Sequence, residues 1–149
     1  MLFLLGLGFA FEDQTRGATR EERRGGSESV REAPWVARLK AVDAALVRKD
    51  VDGALRAWRE AYNAAFASRQ WKPMLDVGDA YRAIGRVAGE RDEFAGKARE
   101  VYLTGFLRAR RIRSVEGVLK AADAFAALGD QTLAEECTRI ADNLRARGA

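Results

Sequence analysis

Histidine is absent from the 149 residues, which removes the commonest general base and the commonest metal ligand together. Cysteine occurs once, at Cys137, so neither an intramolecular disulfide nor a cysteine-rich zinc site can form within the chain. Cys137 falls on the apolar face of a helical stretch and reads as core packing rather than as a reactive thiol. Proline occurs twice, at Pro34 and Pro73. No run alternates Val, Ile and Thr with polar residues, so strand signals are weak throughout. The chain also has no Gly-rich phosphate loop after a strand and no metal-ligand spacing. Pairs such as Asp76 with Asp79, or Asp92 with Glu93, are what charged helices carry by chance. The expectation is a protein that is not an enzyme, with no cofactor and no metal site.

Long apolar runs are missing as well. Residues 1–11, MLFLLGLGFAF, are apolar but number eleven, against the ~20 residues a membrane-spanning helix needs. The basic start of a signal peptide is absent, although Gly8-Phe9-Ala10 places small residues at a cleavage-like spacing. Three readings stand: a signal or anchor shortened by a misplaced start, an apolar helix docked on the domain, or a disordered end. Export or membrane attachment, at a bacterial envelope, is the leading expectation, with a cytoplasmic location as the alternative. Any membrane contact would run through residues 1–11 only. Residues 12–33 hold five Arg against six acids and one aliphatic side chain larger than Ala, Val30. Such a segment cannot bury enough apolar area to offset its chain entropy, and reads as a flexible charged linker.

What is present is a helix-forming mixture. Apolar residues make up 48% and charged residues 32%, with Ala, Leu, Arg and Glu dominant. The formal charge is +4; beyond the linker, 21 basic residues are interspersed with 16 acids, too even a mixture to demand a nucleic-acid partner. Six amphipathic stretches follow Pro34, making 34–147 one helical domain. The first runs to about Lys49 with Trp35, Val36, Leu39, Val42 and Leu46 on one stripe. Asp52 is placed as N-cap of the second, which turns Leu55, Trp58, Tyr62, Ala65 and Phe66 inward. The third starts at Pro73 and ends before Gly89. The fourth runs from Asp92 to about Arg111 with Phe94, Ala98, Val101, Tyr102, Gly105 and Phe106 inward. Ser114 opens the fifth, Gly129 closes it, and Asp130 caps the sixth. The sixth buries Leu133, Cys137, Ile140 and Leu144. Its other face (Glu135, Glu136, Arg139, Asp142, Asn143) is polar, as the last element of a repeat array must be.

The stretches repeat. Ala41–Lys49, Val77–Gly85 and Ala121–Gly129 align with Asp-Ala at one place: Asp43-Ala44, Asp79-Ala80 and Asp123-Ala124. Tyr81 and Phe125 follow in two of the three, each with Gly four residues later. Ala54, Trp58 and Ala61 match Ala98, Tyr102 and Gly105, and then Ala134, Thr138 and Ala141. Lys49 to Ala54 and Gly129 to Ala134 span five residues, whereas Gly85 to Ala98 spans thirteen. The middle pair therefore carries an eight-residue insertion, about two helical turns shared between its helices.

Over about residues 35–146 this pattern resembles the tetratricopeptide family: Gly78, Tyr81, Gly85, Ala98, Tyr102 and Gly105 stand where that family has its small and aromatic residues. The chain departs from it in a ~36-residue period, in the insertion, and in Ala45 and Lys49 of the first pair. A plain six-helix bundle with the same pattern is the alternative. The resemblance implies an all-α, right-handed stack of three antiparallel helical hairpins that binds a protein or peptide on its concave face, lined by the first helix of each hairpin. Carried over by position, that face comprises Val36, Lys40 and Asp43; Lys72, Asp76, Asp79 and Arg82; and Glu116, Lys120 and Asp123. Ionised carboxylates accept only, so the recurring Asp43, Asp79 and Asp123 would suit backbone N–H groups or basic side chains of an extended peptide. Otherwise each Asp pairs with a nearby cation of its own repeat. Asp76 and Asp79 interrupt any cluster of Lys40, Lys72 and Lys120 and speak against a carboxylate clamp.

Arg108, Arg110, Arg111 and Arg113 form the one dense basic cluster in the sequence, at the end of the fourth stretch. Cations there complement the helix dipole and cap carbonyls; phosphate binding is the competing reading. The functional expectation is thus a non-enzymatic interaction module with a protein or peptide partner. A self-associating structural domain is the alternative, and nucleic-acid binding through the Arg cluster stands third.

Overall fold

The computed structural model describes residues 32–148. The readings of residues 1–11, and of the linker up to residue 31, lie outside the described residues. Six α-helices follow in order: α1 Pro34–Val47, α2 Val51–Ala67, α3 Lys72–Ala88, α4 Arg91–Arg111, α5 Val115–Ala127 and α6 Gln131–Gly148. Among the described residues there is no strand, so the fold is all-α. None of these helices is long and apolar enough to cross a membrane.

Local chemistry sets the boundaries. Pro34 and Pro73 sit in the first turns of α1 and α3, where a missing N–H costs no hydrogen bond. Ser114 caps α5 by accepting from Gly117 N at 3.0 Å. For α2 the cap is Asp50, not Asp52: Asp50 Oδ1 accepts from Gly53 N at 2.8 Å, while Asp52 lies inside the first turn. Asp52 still opposes the positive end of the helix dipole there. Asp130 contributes its carbonyl to Ala134 N, but its carboxylate is taken by Arg99 of α4, at 2.5 and 2.9 Å. That pair ties the middle of the chain to the α5–α6 junction and, through the Asp130 hydrogen bond, raises the Arg99 pKa.

Each of the five junctions contains one left-handed residue: Lys49, Arg69, Gly89, Arg113 and Gly129, with φ between 56° and 83°. Lys49 thus adopts the conformation of its repeat partner Gly129 without being glycine. Gly85 does not share it; it lies inside α3, where an added Cβ would stand 2.5 Å from Phe94 Cβ. The thirteen-residue spacing is absorbed by longer helices. α3 and α4 have 17 and 21 residues, against 14 and 17 for α1 and α2 and 13 and 18 for α5 and α6.

The helices pack most extensively as α1 on α2, α3 on α4 and α5 on α6. α2 also contacts α3, α4 contacts α5, and the odd-numbered helices touch in turn, α1 to α3 and α3 to α5. Two apolar clusters result. One gathers Val42, Trp58, Met74, Val77, Ile84, Phe94 and Val101; the other gathers Tyr102, Phe106, Val118, Phe125 and Cys137. Tyr81 packs against both. Positions 58 and 81 are 23 apart, as are 102 and 125, and each pair is in ring contact, with centroids 4.4 and 6.1 Å apart. Full burial of a large apolar side chain, as for Phe125, stabilises the fold by about 1.5–3 kcal/mol. Trp58 Nε1–H is not left unsatisfied, donating to the Val77 carbonyl at 2.7 Å. Cys137 is buried, and burial pushes its thiol up to about 11, with Glu136 adding to the rise. Phe66, expected inward, is half-exposed instead, in the last turn of α2 beside Tyr62 and Arg108.

Candidate functional site

Lys72, Asp76, Asp79 and Arg82 recur along α3 at steps of three and four, which places them on one helical face. Lys120 and Asp123 do the same on α5. Because α3 and α5 touch, these six side chains line one hollow of about 300 Å³ together with Trp71, Leu75, Ala124 and Ala127. Trp71 is held at its end by a close approach: a Cβ on Gly117 would stand 2.8 Å from the indole ring. The hollow therefore has an apolar floor and a rim of mixed charge, three cations and three carboxylates.

The rim groups are not equivalent. Lys72 Nζ spans to both Asp76 oxygens at 2.8 and 3.1 Å, an i, i+4 pair on the surface. Asp79 accepts from the Tyr102 hydroxyl at 2.6 Å and lies 3.8 Å from Arg82. Tyr102 is fully buried, and its pKa is pushed well above the ordinary range, first by burial and then by the Asp79 hydrogen bond and charge. Arg82 lies at the wall of the hollow with its Nε buried and without a hydrogen-bond partner among the described residues. Lys120 and Asp123 are exposed, and neither makes an ion pair or side-chain hydrogen bond with another described residue.

The first repeat does not join them. Lys40 and Asp43 are exposed on α1 outside the hollow, Lys40 pairing with Glu32. Val36 is half-buried and Glu116 exposed, and neither lines it. Of the three recurrent aspartates, then, two share a hollow and one stands apart, and of those two Asp79 is committed to Tyr102. The 23-residue offset that brings Trp58 to Tyr81 also separates Asp79 from Tyr102, a regularity present in the sequence but not read from it.

The Arg cluster divides in space: Arg108 and Arg111 stay together beside a surface hollow that neither Arg110 nor Arg113 lines. Arg108 reaches across to α2, donating to the carbonyls of Ala65, Phe66 and Gln70 at 3.0–3.3 Å. It caps a neighbouring helix rather than its own, a role that spacing along one helix cannot show. Arg110 lies over the Phe106 ring at 5.8 Å, and Arg113 is the left-handed residue between α4 and α5. Among the described residues no group of three or more His, Cys, Asp or Glu could hold a metal ion. No family model, no curated protein and no solved structure matches the chain.

Proposed function

We propose that the six helices form a right-handed stack of three antiparallel hairpins similar to tetratricopeptide arrays, and that the protein is a non-enzymatic interaction module. The hollow between α3 and α5 receives an extended segment of a protein partner. Support for the stack comes from the pairing of successive helices and from the equal Trp58–Tyr81 and Tyr102–Phe125 offsets. The observation that carries the binding reading is the convergence of six side chains from two helices on one hollow with an apolar floor. Lys120 and Asp123 offer a cation and a carboxylate for polar groups of the ligand, and Trp71 and Leu75 offer apolar contact.

The test uses the full chain beside a Lys120→Gln/Asp123→Asn double variant in affinity capture. Both side chains are exposed, so stability should shift by less than about 0.5 kcal/mol. A protein retained by the first and lost from the second supports the reading. Asp79→Ala is a poor test, because it also strips a fully buried tyrosine of its acceptor. If nothing is retained and the mass in light scattering rises with concentration, self-association replaces the proposal.

A further inference from the structure

A second hollow, of about 670 Å³, opens between the C-terminal ends of α2 and α4 and shares no residue with the first. Its floor includes Phe66 and Leu107, 51% and 53% exposed, two of the few large apolar side chains the described surface leaves in water. Arg69, Arg108 and Arg111 stand around them, and no acidic residue lines the hollow. Among the described residues Arg38, Arg82, Arg99, Arg139 and Arg145 each lie beside a carboxylate, whereas Arg48, Arg56, Arg59, Arg86, Arg91, Arg110, Arg113 and Arg147 do not. Arg69 and Arg111 make no such pair with a described residue, and Arg108 spends its donors on carbonyls. The three cations feel one another: burial depresses the Arg108 pKa, and Arg111 and Arg69 depress it further. Like charges gathered beside exposed apolar surface are stabilised by an anionic, partly apolar ligand.

We propose that this hollow docks an acidic amphipathic segment of a partner protein, whose apolar side chains enter between Phe66 and Leu107 while its carboxylates meet Arg69 and Arg111. Arginine suits that role, since its fork accepts a carboxylate through two parallel hydrogen bonds. Arg108 is held in place by α2 and fixes the floor, its guanidinium 5.0 Å from the Phe66 ring centre. A peptide fits better than a nucleic acid here. The Phe66 ring already packs against Tyr62 and Arg108, with which a stacking base would have to compete. A concave site also suits inserted side chains better than it suits the plane of a lipid surface.

The experiment titrates the full chain into a labelled helical peptide of about 16 residues, with Leu and Phe at i, i+3, i+4 and i+7 and Glu or Asp elsewhere. Saturable binding is expected, weakened about tenfold or more by Arg69→Glu/Arg111→Glu and by Leu107→Asp. Arg56→Glu/Arg59→Glu makes the same charge change at exposed positions of α2 away from the hollow, and should leave affinity within about twofold. Lys120→Gln/Asp123→Asn should also leave it unchanged, which separates this site from the α3–α5 hollow. Arg69→Gln/Arg111→Gln repeats the test should charge reversal impair folding. Equal loss from both pairs of charge reversals would overturn the proposal, as would equal binding of a peptide with Lys in place of its acids. So would tighter binding of phosphatidylglycerol vesicles or of single-stranded DNA than of the peptide, or self-association that the same variants abolish.

Discussion

The Tyr102 hydroxyl donates to Asp79 Oδ1 at 2.6 Å, joining a fully buried ring on α4 to a carboxylate at the rim of the α3–α5 hollow. The two ends of this bond differ in burial, and that asymmetry sets what each mutation does. Asp79→Ala leaves a buried hydroxyl without an acceptor and should cost about 1–3 kcal/mol. Tyr102→Phe leaves a carboxylate that water can reach, so the loss should be about 1 kcal/mol or less. Urea denaturation of the two variants checks the order; a larger loss for Tyr102→Phe would contradict it.

Burial of the Tyr102 ring, reinforced by the same bond, gives an alkaline dependence. In the folded state the Tyr102 pKa is raised, so the folded protein keeps a proton that the unfolded chain releases near pH ~10. Its contribution to stability is complete below that value and is lost as pH climbs from there through the folded pKa. The phenolate absorbance assigned to Tyr102 by difference from Tyr102→Phe should therefore rise only above the usual tyrosine range. A component titrating at ~10 in the folded protein would contradict the burial argument.

Gly78 and Gly96 should respond oppositely to alanine. A Cβ at Gly78 would meet the Tyr102 ring, fixed on all sides by the core, whereas one at Gly96 meets nothing within 4 Å. Gly78→Ala should destabilise by about 1–3 kcal/mol through overpacking. Gly96→Ala, exposed within α4, should stabilise by about 0.5–1 kcal/mol through helix propensity alone. Thermal melts of the two variants should shift in opposite directions.

Lys49 holds φ at 56° between α1 and α2, a conformation glycine adopts with less strain. Its exposed side chain makes no ion pair with a described residue that the change would forfeit. Lys49→Gly should raise stability by up to about 1 kcal/mol, read as a higher denaturation midpoint at unchanged slope. A lower midpoint would show that Lys49 makes an interaction worth more than its backbone strain.

Arg108 supplies donors to two carbonyls in the last turn of α2 and to that of Gln70 just beyond it. Arg108→Ala should cost about 1–2 kcal/mol, and Arg108→Lys should recover little, because a single ammonium cannot match the guanidinium fork. Amide exchange localises the effect: faster exchange over the last turn of α2 is expected, with α4 itself little changed. Faster exchange confined to α4 would mean that Arg108 serves its own helix.

The sequence by itself determined the number of helices, most of their boundaries and nearly all of their buried faces. Each of those is written within one helical period or one turn: Pro34 and Pro73 at first turns, Ser114 as a cap, Gly89 and Gly129 as exits, Val42 through Phe125 at steps of three and four. Where local signals compete, neighbours decide, as Asp50 does over Asp52 because its side chain reaches Gly53 N. Tertiary structure alone decided which of these faces share a hollow. It set Asp79 against Tyr102, Arg99 against Asp130, and Arg108 against the end of α2, pairs 23 to 43 residues apart. It also left Asp43 outside the hollow that Asp79 and Asp123 share, and Phe66 in water despite its place in the helical period. The reason is physical: periodicity reports which side of a helix faces inward, but where one helix crosses the next depends on packing across it, through close approaches such as Gly78 to Tyr102 and Gly117 to Trp71.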